Sequence, residues 1–288
     1  NYTMLTKEKS DTPIVPEKKV ICKRATTLHT EECTQTDTTD FCSGAGYTSA
    51  GSKGTSTITY GNLGTSGTLT SGNAFNCDVN SDGIYDSNTE RFYYISDYYN
   101  TSTKSFESDT AVLIYYNNVS AGNPSKNSAY AYDSSGENWH GPRTAIMQLP
   151  TTSQWSNVSL KNTKRTILNE KDGNTTSGGT LSSNFSYSGY ASRLLTIEEV
   201  RQGTGITGIP AWQTGELDNF NYLLENTKFS NNDNTVYAFW LESPMSSLSN
   251  QNWNINGRIR ALAYNISDYV GFISVRPAIE VSKTNIEY

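Results

Sequence analysis

Oxygen-bearing side chains recur along DVNSDGIYD, residues 78 to 86, at Asp78, Asn80, Asp82 and Asp86. Gly83 stands where a sharp turn is needed, and the backbone carbonyl of Ile84 supplies one more oxygen. Hard oxygen ligands at alternating positions around a glycine are the components of a calcium loop, in which the ion would be structural. The spacing departs from an EF-hand, because the twelfth position is Thr89 rather than Glu and no helical pattern flanks the loop. The competing reading is an Asp/Asn/Gly-rich hairpin loop without metal.

Other reactive side chains are scattered. His140 in NWHGPR has no second histidine nearby, so a hydrogen-bonded structural role competes with that of base or metal ligand. Glu198 and Glu199 are adjacent on a helical pattern and diverge, which suits a solvated, dipole-complementing first turn better than an acid/base pair. Arg276 in VRPAIEV, between Val275 and Pro277 near a strand end, is expected to be buried and satisfied by carbonyls or a carboxylate. The chain has no G-x-S-x-G, P-loop, strand-linked G-x-G-x-x-G or H-E-x-x-H. Carboxylates that meet from separate strands, as in a glycosidase, leave no sequence trace.

The richest recognition chemistry lies between Val236 and Val281. From Trp253 to Ala263 every second residue is apolar or small, namely Trp253, Ile255, Gly257, Ile259, Ala261 and Ala263. Asn254, Asn256, Arg258, Arg260, Leu262 and Tyr264 alternate with them, predicting a half-buried antiparallel ribbon with one displayed face. Asn, Tyr and Arg supply adaptable hydrogen bonds and rigid contact area, as binding loops do. A two-residue turn at Asn256-Gly257 would put Ile255 beside Arg258. An odd-numbered loop with Ile255 opposite Ile259 keeps the apolar residues together, so Asn254, Arg258 and Arg260 are expected outward and Trp253 inward.

The elements that hold these residues are mostly strands. TSTITYGNL (55 to 63), RFYYISDYY (91 to 99) and AVLIYYNNV (111 to 119) are aromatic and β-branched, and the last two predict a hairpin. Residues 134 to 155 read as irregular, broken by Pro142 and Pro150. SRLLTIEEVRQG (192 to 203) predicts a helix with Thr196 as N-cap and Gly203 as stop. GELDNFNYLLENT (215 to 227) places Leu217, Phe220, Leu223 and Leu224 on one helical face. The expected fold class is α+β, with residues 1–50 as a Cys-containing arm or linker and residues 51–288 as one domain expected to bind ligand.

Composition narrows the partners. A net charge of -6 with 17% charged residues argues against nucleic acid, whose phosphates would be repelled. No apolar run reaches the length of a membrane span. Four cysteines in the first third suggest an oxidising, extracellular setting. Of three possible pairings, Cys22 with Cys77 and Cys33 with Cys42 are favoured over the others. A metal site would want a CxxC or more than two histidines. Asn-x-Ser/Thr triplets at Asn100, Asn118, Asn157, Asn174, Asn184 and Asn265 are expected by chance in so Asn-, Ser- and Thr-rich a chain. The start at Asn1 rather than Met leads one to expect an upstream signal peptide, anchor or longer parent.

FWLESP (239 to 244), NWNING (252 to 257) and VGFISVRPAIEV (270 to 281), preceded by RLLTIEEV (193 to 200), resemble the C-terminal part of C-type-lectin-like domains. The likeness is to the bacterial branch related to formylglycine-generating enzymes, which ends in a W-L-x-S-P…G-V-R-P-A-like pattern. A subset, the variable proteins of diversity-generating retroelements, is hypervariable before that final pattern, and the Asn/Ser/Tyr/Ile mix from Met245 to Tyr269 fits. The resemblance spans about residues 190–281, is vaguer over 75–190 and is absent from the arm. DVNSDGIYD itself looks like loops of extracellular calcium-binding repeats. Two features depart from the family. No cysteine follows Cys77, whereas the enzymes of the branch use a late pair for copper and oxygen. Glu242-Ser243-Pro244 is not the sugar-binding tripeptide of animal lectins.

What these readings imply is a secreted or surface-anchored bacterial binding protein without enzymatic activity, facing a protein or glycan ligand on a cell or phage surface. The expected binding face is Asn250, Asn252, Asn254, Asn256, Arg258, Arg260, Tyr264, Asn265 and Tyr269, with Trp240, Trp253, Gly271, Arg276 and Pro277 as scaffold. Calcium at Asp78, Asn80, Asp82, Ile84 and Asp86 is the one cofactor suggested, and no organic cofactor is expected. A structural head subunit of a pilus or adhesin is the alternative, followed by a divergent glycan hydrolase.

Overall fold

The structure is a computed structural model that describes residues 19–25, 29–32, 53–56, 69–208, 213–224 and 236–288. Its strands in chain order are β1 (Cys22–Arg24), β2 (His29–Glu32), β3 (Lys53–Ser56), β4 (Ala74–Cys77), β5 (Arg91–Asn100), β6 (Ser105–Tyr115), β7 (Val119–Ser120) and β8 (Asn123–Pro124). After them come β9 (Thr175–Thr176), β10 (Gly179–Thr180), β11 (Ala238–Pro244), β12 (Gln251–Asn256), β13 (Ala261–Ile266), β14 (Ile273–Ser274), β15 (Ala278–Ser282) and β16 (Ile286–Glu287). Two α-helices are described, α1 (Ile197–Thr204) and α2 (Asn221–Leu224). This is a sheet-rich α+β architecture.

A six-stranded sheet in the order β15-β6-β5-β4-β1-β16 forms the body. Its neighbours are antiparallel except β1 and β16, which run parallel with Cys22 opposite Ile286. Cys22 also faces Cys77 across β1 and β4, and the two form a disulfide. Cys22–Arg24, read from sequence as part of an arm, is therefore an interior strand of the main sheet. The Cys33–Cys42 pairing and residues 57–63 lie outside the described residues.

Alternation along β6 divides the core. Ala111, Leu113 and Tyr115 join one buried apolar cluster with Phe75, Phe92 and Trp240, while Val112 and Ile114 join another with Ile197, Val200, Leu223 and Phe239. The four-stranded sheet β13-β12-β11-β14 presents Phe239, Leu241, Trp253, Ile255 and Leu262 to the second cluster and Ala238, Trp240 and Ile273 to the first. The two sheets thus share two buried apolar layers, the second of which covers β5, β6 and β15 but not β4, β1 and β16 of the larger sheet.

Helix α1 begins where expected. Thr196 Oγ1 accepts from Glu199 N and the Glu199 carboxylate accepts from Thr196 N, which closes a capping box. Its stop is Gly205, with φ 73°, rather than Gly203. Glu199 is not solvated, as the sequence suggested, but fully buried against Arg193. Burial would raise its carboxyl, yet the Arg193 guanidinium overcomes this and holds it below the usual range. Arg193 also binds Glu280, while Arg165 binds Glu242, and all five are at most 6% exposed. Tyr187 Oη donates to Glu242 and lies in the same cluster.

Candidate functional site

The β12–β13 hairpin sorts the expected binding residues onto three different places. Asn256 pairs with Ala261 and Ile255 with Leu262, so the connecting loop Gly257–Arg260 has four residues and not an odd number. Asn256 Oδ1 accepts from Arg258 N (3.0 Å) and Ile259 N (3.2 Å), and Arg260 takes a left-handed φ of 56°. The segment beside it fixes the tip: Gly215 N donates to Ile259 O and Leu217 N to Arg260 O, both at 3.0 Å. An even loop changes the parity of the following strand, so Ala261 and Ala263 share a face with the Asn residues, and Leu262 and Tyr264 with Trp253.

Asn252, Asn254 and Asn256 are corrected from displayed to buried, at 0%, 0% and 3% exposure. Trp240 stands beside Asn254 on β11 and packs on Tyr132, which covers this face. Asn252 Nδ2 donates to Ser267 Oγ and Asn254 Nδ2 to Asn265 Oδ1. Arg258 is exposed above the Tyr237 ring, and Arg260, half-buried, binds Asp218 and Asn221 at the hairpin tip. Asn250 is exposed at the opposite end, roughly 20 Å away for six extended residues. Tyr264 is half-buried edge-on to Trp253, Asn265 is half-buried, and Tyr269 packs on Phe272. These nine residues form no common face.

Among the scaffold residues, Trp240, Trp253, Arg276 and Pro277 are buried. Arg276 donates to three backbone carbonyls, those of Tyr115, Leu223 and Tyr222, and burial lowers its guanidinium to about 10. Gly271 is exposed, and a Cβ there would meet the Tyr269 hydroxyl at 2.2 Å.

The Asp78–Asp86 loop turns its oxygens largely on itself. Asp78 accepts from Asp82 N and Gly83 N, Asn80 Oδ1 accepts from Asp82 N, and Asp82 Oδ1 accepts from Ile84 N. Asp86 faces the next turn and accepts from Asn88 N and Thr89 Oγ1. Among the described residues no three His, Cys, Asp or Glu side chains group as a metal site would require.

A denser polar constellation forms where three segments meet at the Asn250 end of the hairpin. Asp133 N donates to Ser267 O, Ser267 N to Asn250 O, and Asn138 N to Ser249 O. The Asn138 amide also donates to the carbonyls of Met245, Leu248 and Gln251. On this frame Asp133 is 2% exposed and His140 Nδ1 lies 2.6 Å from its Oδ2. Ser135 Oγ donates to the same oxygen, and Arg143 Nη2 reaches it at 3.1 Å. Serine, histidine and aspartate meet here, but Ser135 and Asp133 both address Nδ1, whereas a nucleophile triad needs them on opposite ring nitrogens. Leu248, Ile266 and Val270 surround this end with 40%, 41% and 63% exposure.

The sequence singled out His140 but missed Asp133, Ser135 and Arg143. Their only signal is the density of polar side chains with Gly141 and Pro142 in an irregular stretch. Comparisons of the chain with protein-family profiles, curated proteins and solved structures returned no match.

Proposed function

We propose that the chain is an extracellular ligand-binding protein on a C-type-lectin-like scaffold, and that it binds through the end of the four-stranded sheet where Asp133–Arg143, Leu248–Gln251 and Ile266–Val270 converge. The observation that carries this is the exposure of Leu248, Ile266 and Val270 beside exposed Asn250 and Arg143, on the end of β13 and the loops joined to a largely buried sheet. Exposed apolar side chains rimmed by polar ones mark interaction surfaces, and loops held by a rigid scaffold are where binding residues concentrate. The disulfide and the absence of any helix long and apolar enough to cross a membrane, among the described residues, accord with a secreted or surface location. The antiparallel strands, the two helices and the long irregular loops support the lectin-like reading.

The ligand sought is a protein or glycan on a bacterial cell or phage surface. Labelled protein is expected to bind intact target cells or phage, and the Leu248→Ser, Ile266→Ser, Val270→Ser variant to lose that binding with Tm unchanged. Retained binding in the variant would remove the assignment of this end. The oxygen spacing of Asp78–Asp86 separately supports a structural calcium ion: calcium chloride should raise Tm, and Asp82→Ala should abolish the rise. No shift in the parent protein would dismiss the ion.

A further inference from the structure

Three groups crowd one ring nitrogen of His140. Nδ1 lies 2.6 Å from Asp133 Oδ2, 2.8 Å from Arg143 Nη2 and 3.1 Å from Ser135 Oγ. These contacts cannot all be hydrogen bonds together. A proton on Nδ1 donates to Asp133 and then opposes the guanidinium N–H, whereas a lone pair accepts from Arg143 and then opposes the carboxylate. Asp133 cannot relieve the conflict by moving, because it is buried and also accepts from Ser135 N and Ser135 Oγ. Arg143 can move, since its side chain is 51% exposed.

The outer edges of the same two side chains hold unused donors. Among the described residues His140 makes its hydrogen bonds through Nδ1 alone, which leaves Nε2 unengaged, and Arg143 engages only Nη2, leaving Nε and Nη1. Two cationic side chains converge on a single fixed carboxylate, one more than its charge requires when the imidazole is protonated. Two further carboxylates stand nearby: half-buried Glu137 within the loop itself, and Asp268, whose Oδ2 would lie 3.8 Å from a Cβ at Gly136.

We propose that His140 and Arg143 form an oxyanion-binding subsite, with Asp133 as the fixed counter-charge behind the ring. An oxyanion that accepts from Nε2–H and from the free edge of Arg143 draws the guanidinium off Nδ1. The Nδ1 proton then belongs to Asp133 alone, and the imidazolium sits between two negative groups. Charge-assisted and bidentate hydrogen bonds of this kind are the strong ones available to a surface site. The ligand class is an oxyanion, supplied by a phosphate ester or by the carboxylate of an acidic sugar. This inference rests on the reading of this end of the molecule as the ligand surface, whose chemistry it specifies.

The test titrates the full chain, carrying 15N-labelled histidine and arginine, with inorganic phosphate and separately with glucuronate at ionic strength held constant by chloride. His29 is the only other histidine, so His29→Gln identifies the His140 signal. Saturable shifts of the His140 ring and of the Arg143 Nε–H are expected, and Arg143→Gln and His140→Gln should each weaken binding at least tenfold. Saturation by phosphate alone, or by glucuronate alone, supports the site and identifies the source of its ligand. Non-saturable shifts with both anions, or unchanged affinity in Arg143→Gln, overturn it. If the Leu248→Ser, Ile266→Ser, Val270→Ser variant titrates normally yet still binds cells, the oxyanion site stands and the wider surface assignment fails.

Discussion

Arg193 shows how much one buried side chain can decide. It donates to both oxygens of Glu199 and to Glu280, and none of the three is more than 6% exposed. Arg193→Met would leave two buried carboxylates without their paired cation, an arrangement that costs about 3–5 kcal/mol; urea unfolding at neutral pH measures this. The same contact fixes the acid response. Because the folded Glu199 carboxyl lies below its usual range, its contribution is present above the ordinary glutamate value and is lost as pH falls through the folded one. Wild-type stability should therefore drop in that acid range, and Arg193→Met should lose this component. Sequence gave no notice of the cluster, since Glu242 in FWLESP and Glu280 in PAIEV sit inside apolar runs and their partners are distant in the chain. A lone charge in an otherwise apolar strand is the signal available, and it does not name its partner.

The elements were more legible than their connections. The β5–β6 hairpin and the Thr196 cap follow from aromatic and β-branched runs and from a short-range hydrogen-bonding pattern, which depend on neighbours in the chain. The β12–β13 loop does not, because Asn256 stabilises a four-residue turn that also leans on Gly215 and Leu217. One residue of loop length exchanges every face beyond it, which sets Ala261 and Ala263 opposite the Asn residues. Asn252, Asn254 and Asn256 themselves look displayed in sequence because no local pattern announces the cover that Trp240 and Tyr132 place on their face. Asn256→Ala removes the acceptor for two turn N–H groups and should cost about 1 kcal/mol; chemical denaturation reads it. A library randomised at Asn252, Asn254 and Asn256 should retain few folded members on protease challenge. Randomising exposed Asn250 and Arg258 with half-buried Tyr269 should retain most. If this segment is diversified, tolerance and not Asn content will map the positions that vary.

Across the whole molecule the disulfide closes a span of 55 residues onto the sheet. Chain-entropy arguments put the stabilisation from a loop of that size at about 4 kcal/mol. The Cys22→Ser, Cys77→Ser variant should lose stability of that order in denaturant unfolding, as should the reduced wild type. The cysteine count and the Cys22–Cys77 pairing were accessible to reasoning, whereas the joining of β1 to β4 and β16 as strands was not, since no local pattern links residues so far apart.

That joining has a mechanical meaning. β1 and β16 lie side by side and parallel, so tension applied to the two ends of the chain pulls them in opposite directions along their length. Their hydrogen bonds are then loaded together in shear rather than opened one at a time. Force entering at β1 crosses the Cys22–Cys77 bond directly into β4 and bypasses everything between the two cysteines. Single-molecule stretching in oxidising buffer should give an extension on first rupture shorter by that enclosed span than stretching in reductant. A protein tethered at a surface while gripping a ligand would feel its load through this short path.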